Sequence, residues 1–282
     1  MSIAMNEAVS MGGAFATDDD AQAKYIAHKR RMKWRRRLLP LAALIVLLVI
    51  WEISVHVFDI KPFIAPAPSA IFTVLVSKFP MLMANLWPTA IEAIAGFIIG
   101  NVAAITIAIA FAYKDTLEEA FFPIAVMVNT IPVVAKAPIL VLLLGNGMEP
   151  KIAIAALICF FPTLVNMTRG LRDVNPQQLE LMHVLSASPR EVFQKVRLKN
   201  SLPYLFSALK IAASTAVIGA IVGEWIGSTA GIGALIIQAT YAFDSPLLYA
   251  TIVVGSVFSA TFFGVITWIE GRVLTWNVGR AG

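Results

Sequence analysis

Long runs of uncharged, apolar residues separated by short polar stretches dominate the chain from Leu38 onward. A helix rises about 1.5 Å per residue, so about 20 mostly apolar residues cross a hydrocarbon core about 30 Å thick. Six segments have the length and apolar character to cross, namely Leu38 to Phe58, Thr89 to Ala112, Ala120 to Leu144, Ile152 to Thr168, Leu202 to Gly223 and Leu247 to Ile269. The pattern predicts an all-α, polytopic membrane protein with six transmembrane helices.

The connections carry their own signals. Residues 61–69 (KPFIAPAPS) hold three prolines, which forbid a helix there. Ser69 is placed to cap a short amphipathic surface helix from Ala70 to Lys78. Residues 225–243 are uncharged but rich in small and polar residues, among them Gly227, Ser228, Thr229, Gly231, Gly233 and Thr240. Such a stretch packs poorly against lipid and reads as an external or re-entrant element buried against protein.

The longest polar interruption runs from Arg169 to Ser201. Pro176 marks a helix start, and Leu181, Val184 and Leu185, three and four residues apart, predict an amphipathic helix. Ser188-Pro189-Arg190-Glu191 is a capping box with proline at the first helical position. A second short helix is expected after it, with Val192, Phe193 and Val196 facing inward. Together they form an elbow around a Ser186-Ala187-Ser188 turn.

Composition agrees with this reading. Of 282 residues, 59% are hydrophobic and 14% charged, against about 45–50% and about 25% in soluble domains. This excludes an ordinary soluble globule, and it excludes disorder as the main state. The 22 Lys and Arg outnumber 17 Asp and Glu, but eight cations lie between Lys24 and Arg37. With a cytoplasmic N-terminus, the connections divide the cations 18 to 3 in favour of the cytoplasm, as the positive-inside rule requires. Residues 29–37 therefore read as a topology determinant in contact with lipid headgroups, not as a nucleic-acid site. The expected organisation is a basic cytoplasmic tail over residues 1–37, disordered over 1–23, a transmembrane domain over 38–270 with its cytoplasmic elbow at 169–201, and a cytoplasmic C-terminal tail over 271–282.

Few groups suit catalysis. Cys159 is the single cysteine, and His28, His56 and His183 are far apart with no companions at metal-ligand spacing. Neither a metal, a cofactor nor an enzymatic role is expected. The phosphate-cradling pattern G-x-x-x-x-G-K-[ST] is absent from the sequence, so ATP hydrolysis would fall to a separate subunit.

Residues 180–203 (ELMHVLSASPREVFQKVRLKNSLP) resemble the EAA loop of ABC-importer permeases. Glu180 matches the glutamate, Leu181 and Met182 replace the alanines, Ser186 replaces the glycine and Pro203 is the closing proline. The resemblance extends over residues 60–270. NTIPVVAKAPILVLLLG (129–145), CFFPTLVN (159–166) and VIGAIVGEWIGSTAGIG (217–233) are similar to the nitrate, sulfonate and taurine branch, nearest its permeases for vitamin precursors such as the thiamine pyrimidine and for riboflavin. The resemblance implies a type I importer permease in the bacterial inner membrane, working as a homodimer with two cytoplasmic ATPase subunits and an external solute-binding protein. It also implies that Glu180, Leu181, His183, Ser186, Ala187, Ser188, Pro189 and Glu191 couple the chain to the ATPase. A vitamin precursor or other N-heterocycle is the expected solute, with sulfonate, taurine or nitrate as the alternative. A secondary transporter without ATPase and a membrane-embedded enzyme are the rival classes.

Asn129, Pro132, Lys136, Glu224 and Trp225 are the candidate translocation-pathway residues. Lys136 is the one cation deep in a span, between two prolines, and a lysine there faces protein or water, or snorkels toward the nearer, external end. Glu224 and Trp225 border the glycine-rich segment, where an indole suits a planar heterocycle and equally suits a membrane interface. Asn129 and Asn166 are expected to bond between helices. Gly96 and Gly100 form a GxxxG pair, and Glu92 reads as a first-turn acid near its helix start.

Overall fold

The computed structural model describes Lys29, Met32, Arg35 and residues 38–275. The tail expected over 1–23, most of the basic cluster and residues 276–282 lie outside the described residues. No strand occurs among the described residues. Among the described residues five helices are long and apolar enough to cross a membrane, six when a bent pair is counted as one span.

Two compact units divide the chain. One holds α1 (Leu38–Val57), the residues up to Lys61 and Ala67–Ser69. Here Ser69 does not act as a cap. Helix α2 (Pro68–Ser77) already includes it, and its N–H and hydroxyl donate to the Glu52 carboxylate at 3.0 and 2.7 Å. The helix starts one residue before Ser69, so the serine lies inside the first turn and its two donors go to a charged acceptor.

The second unit is built on three long helices: α3 (Phe79–Tyr113), α6 (Glu149–Arg172) and α9 (Leu198–Glu224). Helix α3 begins ten residues before the expected Thr89 and runs 35 residues, longer than a hydrocarbon core requires. Pro80 sits in its first turn, where a missing N–H costs nothing, and Pro88 is absorbed inside the helix. Helix α6 lies between the other two. Its Ala155 and Ala156 meet Gly96 and Gly100 of α3 so closely that a Cβ on Gly100 would stand 2.3 Å from the Ala156 carbonyl oxygen. Gly219 of α9 presses on Ala155 from the other side. The GxxxG pair therefore packs within this chain. Small residues at such contacts let backbones approach where lipid supplies no hydrophobic drive. The core follows that rule, with Ala93, Cys159, Ala212, Ala216, Val217 and Ala220 buried together.

The expected single span Ala120 to Leu144 is broken. Helix α4 (Asp115–Thr130) and α5 (Val133–Leu144) meet at 99°. Ile131 is extended, at φ −67° and ψ 125°, because a residue before proline is driven from the helical region and Pro132 has no N–H to continue the ladder.

After α6 comes α7 (Pro176–Val184), then the turn and α8 (Pro189–Val192). The expected second short helix is not separate: α8 passes through a π-helical stretch, Phe193–Arg197, straight into α9. The capping box starts a helix, and nothing after it stops one. Helix α10 (Ile232–Tyr241) is short and buried on one face, and α11 (Ser245–Val273) follows. Lys78 at the start of α3 pairs with Asp244 at the start of α11 at 3.1 Å, while Lys210 of α9 pairs with Glu270 near the end of α11 at 2.9 Å. The segment 225–243 thus turns back at the end where α9 finishes and does not cross.

Replacing Gly100 by Ala forces α3 and α6 apart, and overpacking of this kind costs about 1–3 kcal/mol. A lowered melting temperature of the detergent-purified protein is expected for Gly100→Ala, and none for Val102→Leu on the exposed side of the same helix.

Candidate functional site

Three places in the second unit concentrate polar chemistry. The first lies at the end of the bundle opposite the elbow. Glu92 of α3, Lys151 of α6 and Glu224 of α9 are 0%, 7% and 1% exposed. The Lys151 ammonium stands 3.2 Å from the Glu92 carboxylate and donates to the Ser228 hydroxyl at 2.9 Å. Thr89 donates to Glu224 at 2.6 Å and accepts from the Ile232 N–H at 2.8 Å. The Gly233 N–H donates to the second Glu224 oxygen at 2.5 Å, and the Gly231 N–H donates to the Asn85 side chain at 3.1 Å. Gly231 has φ +117° and lies so close to Glu224 that any Cβ would strike the carboxylate, so only glycine serves there. The expected span from Ile152 left Lys151 just outside it, and Glu92 read as a first-turn acid. In fact Glu92 sits well inside α3, and its partner is remote in sequence. The one local signal was a pair of charges at the edges of otherwise apolar runs.

The second place is the bend. A cavity of about 230 Å³ opens between α3, α4, α5 and α6, lined by apolar side chains together with Asn129 and Lys136. Its α6 wall is Leu157, Phe160, Phe161 and Leu164, all in the middle third of that 24-residue helix. The cavity that Lys136 borders therefore reaches the middle of α6 and, through Phe111, the last turn of α3. Pro132 caps α5 and its carbonyl accepts from the Ala135 and Lys136 N–H groups at 3.0 and 3.3 Å. Asn166 bonds back to Pro162 in its own helix, and the buried bond between helices is instead made by Thr163 donating to Asn101 at 2.5 Å.

The third place is the elbow. Asn175 caps α7 by accepting from the Gln177 N–H at 2.9 Å. The helix ends in a Schellman turn: Ala187 N–H donates to the Met182 carbonyl at 3.0 Å and Ser186 N–H to the His183 carbonyl at 2.9 Å. Ser186 carries the left-handed φ of +52° that the turn demands, a geometry glycine adopts more cheaply. The capping box forms as expected, with Ser188 N–H donating to Glu191 at 3.0 Å, and Lys195 adds an ion pair to Glu191 at 3.1 Å. Glu180, Leu181, His183, Ser186, Ser188 and Pro189 are exposed, Ala187 and Glu191 half-buried. Leu181, Val184 and Leu185, the apolar stripe of the expected amphipathic helix, are exposed, Val184 at 79%, while Leu179 and Met182 are the half-buried side chains of α7.

The elbow is fastened to the bundle. Asn200 donates to the Gly170 and Asp173 carbonyls at 3.0 and 2.7 Å, Tyr204 donates to the Asp173 carboxylate, and Arg197 donates to the Ala112 carbonyl at 3.3 Å. Arg172 pairs with both Asp115 and Glu118 at 2.6 Å. Of the candidate pathway residues, Asn129, Pro132 and Lys136 gather at the bend, Glu224 lies in the far-end network, and Trp225 projects beside it, half-exposed at 43%.

In the far-end network Lys151 pairs with Glu92, while Glu224 keeps the Thr89 hydroxyl and the Gly233 N–H. Lys151→Met strands the Glu92 carboxylate, and breaking a buried pair costs about 3–5 kcal/mol. Glu92→Gln keeps a polar group of the same size beside Lys151, which retains the Ser228 hydroxyl, and costs less. Thermal melting is expected to rank Lys151→Met below Glu92→Gln, with the double variant Glu92→Gln/Lys151→Met recovering part of the loss.

Residues 96–275 match the family described as binding-protein-dependent transport system inner membrane component. The formylaminopyrimidine transport permease protein ThiX of Halalkalibacterium halodurans is 33% identical over 241 residues, covering 85% of this chain and 96% of that protein. The riboflavin transport system permease protein RibX of Chloroflexus aurantiacus is 29% identical over 254 residues, covering 88% and 93%. An inward-facing structure of the MetNI methionine ABC transporter aligns with a TM-score of 0.61 at 17% identity, covering 70% of this chain and 98% of that one, a likeness of fold. With the resemblance carried over nearly the whole length of its relatives and the helical architecture matching as well, this chain is a multi-pass membrane protein that belongs to the inner-membrane permease family of binding-protein-dependent ABC transport systems.

Proposed function

We propose that the chain imports a small N-heterocyclic solute of the vitamin-precursor kind, as a homodimer powered by two cytoplasmic ATPase subunits and fed by an external binding protein. The observation that carries the coupling part is the elbow. Leu181, Val184 and Leu185 present an apolar patch to solvent on a helix end fixed by a Schellman turn and a capping box. Exposed apolar patches of this kind mark sites where another protein binds. The elbow's ties to α3, α4, α6 and α9 pass any push on it to the spans. Under this reading Glu180 and His183 border the patch and Ser186 to Glu191 hold its shape. The orientation that places the elbow and both termini in the cytoplasm rests on the asymmetry of cations along the chain.

Solute class finds its support in the relatives named for a formylaminopyrimidine and for riboflavin. Trp225, beside the far-end network, is the candidate stacking partner as a solute enters, and Glu224 holds the glycine-rich turn that carries it. Asn129, Pro132 and Lys136 are the candidate groups deeper in the path.

Leu181→Asp/Val184→Asp tests the coupling. Both side chains are exposed, so the variant folds and reaches the membrane, and its melting temperature stays that of the parent. A tagged parent is expected to copurify an ATP-binding subunit at near-equal stoichiometry in mild detergent, and the variant to lose it along with uptake. Retention of the subunit at parental stoichiometry sinks the proposed role of the patch.

A further inference from the structure

The bend between α4 and α5 holds a cation that no described residue answers. Lys136 makes no hydrogen bond or ion pair through its ammonium with any described residue, and no acid lines the cavity it borders. A lysine at the centre of a membrane helix costs about 2.5–3.5 kcal/mol on insertion scales, and its counterpart Lys151 answers that cost with an acid. Lys136 is kept without one. Its surroundings are chemically specific: Phe111, Phe121, Phe160 and Phe161 wall the cavity, and Asn129 supplies its one amide.

We propose that this cavity is a binding site for a small planar organic anion. The ring lies among the four phenylalanines, where aromatic faces and edges pack. Asn129 hydrogen-bonds a ring or exocyclic heteroatom, and Lys136 pairs with a single carboxylate, sulfonate or phosphate. Size narrows the class further. At about 230 Å³ the cavity falls below the about 300–1,000 Å³ of drug-sized sites, so it encloses one ring with its acidic group. The acid strengthens as a recognition element because the cavity reaches the middle of α6, where an ion pair is weakly screened. This deepens the import reading and rests on it, since it names the charge of the solute that would pass the bend.

An anionic lipid headgroup shares the acid chemistry, so the test separates the two sources. The full complex in nanodiscs of zwitterionic lipid is titrated with pyridine-3-carboxylate, and with the neutral pyridine-3-carboxamide as its isostere. Saturable binding of the carboxylate is expected, weakened at least tenfold by Lys136→Met and retained by Lys136→Arg, with the amide bound weakly by all three. Removing a membrane-depth charge eases insertion, so Lys136→Met folds, and its melting temperature checks this. Absence of carboxylate binding in the parent, or equal binding in Lys136→Met, overturns the proposal. Loss of binding when phosphatidylglycerol is added to the discs overturns it as well, and assigns the cavity to lipid. Copurification of the ATPase is read in the same preparation: its loss defeats the import reading while the titration stands alone, and its presence without carboxylate binding defeats only this inference.

Discussion

The far end of the bundle is organised around one buried ammonium. Lys151 has no water to turn to, and a charge in that setting holds only if acids and hydrogen-bond partners converge on it. Glu92 and Ser228 make that contact directly, while Glu224 is tied by Thr89 and the Gly233 N–H. Because Glu92, Lys151 and Glu224 come from α3, α6 and α9 in turn, the pair sets the register in which these helices lie. That register brings Ala155 and Ala156 against Gly96 and Gly100, so the close packing and the ionic contact require each other. The glycine-rich turn before α10 follows from the same demand, since its N–H groups finish the acceptors that the lysine leaves over.

The opposite end is fastened by different means. Arg172 with Asp115 and Glu118, Arg197 with the end of α3, and Asn200 with the end of α6 join the elbow to the helices beside it. These groups are more exposed than those at the far end, and exposed pairs contribute little each. Their value is geometric: several short ties at one place move as a unit. A bundle clamped by charge at one end and by a fastened lever at the other suits alternating access, in which packed helices rotate as bodies.

What the sequence made legible was what depends on neighbours along the chain. The spans follow from apolar length, and the Ser188 capping box and the Pro176 start follow from residues within one turn. The misread parts depend on residues remote in sequence or on a choice between partners. Glu92 looked like a first-turn acid because the expected span began at Thr89, and its ion pair with Lys151 leaves no local mark. Ser69 lies one residue inside the helix it was expected to cap, and its donors go to Glu52. Leu181, Val184 and Leu185 gave a correct helix, but periodicity shows only that a stripe exists and not whether this chain covers it. The break at Pro132 was carried by the proline itself, yet its 99° angle depends on how α5 meets α6.

Lys136 and Lys151 show how little a residue's identity says about its purpose. Lys136 lies within an apolar run and Lys151 at the edge of one, and each gives up water on burial. Lys151 meets that cost within the chain and becomes part of the scaffold, where its removal would damage the fold. Lys136 meets it nowhere among the described residues, in a bend whose Pro132 already forfeits a helical hydrogen bond. An unpaired charge and a broken helix at the same depth are two separate sacrifices of stability. Neither supports the packing of α3, α6 and α9, which is complete without them. Their coincidence beside a walled cavity is what separates a site from a flaw in the helix.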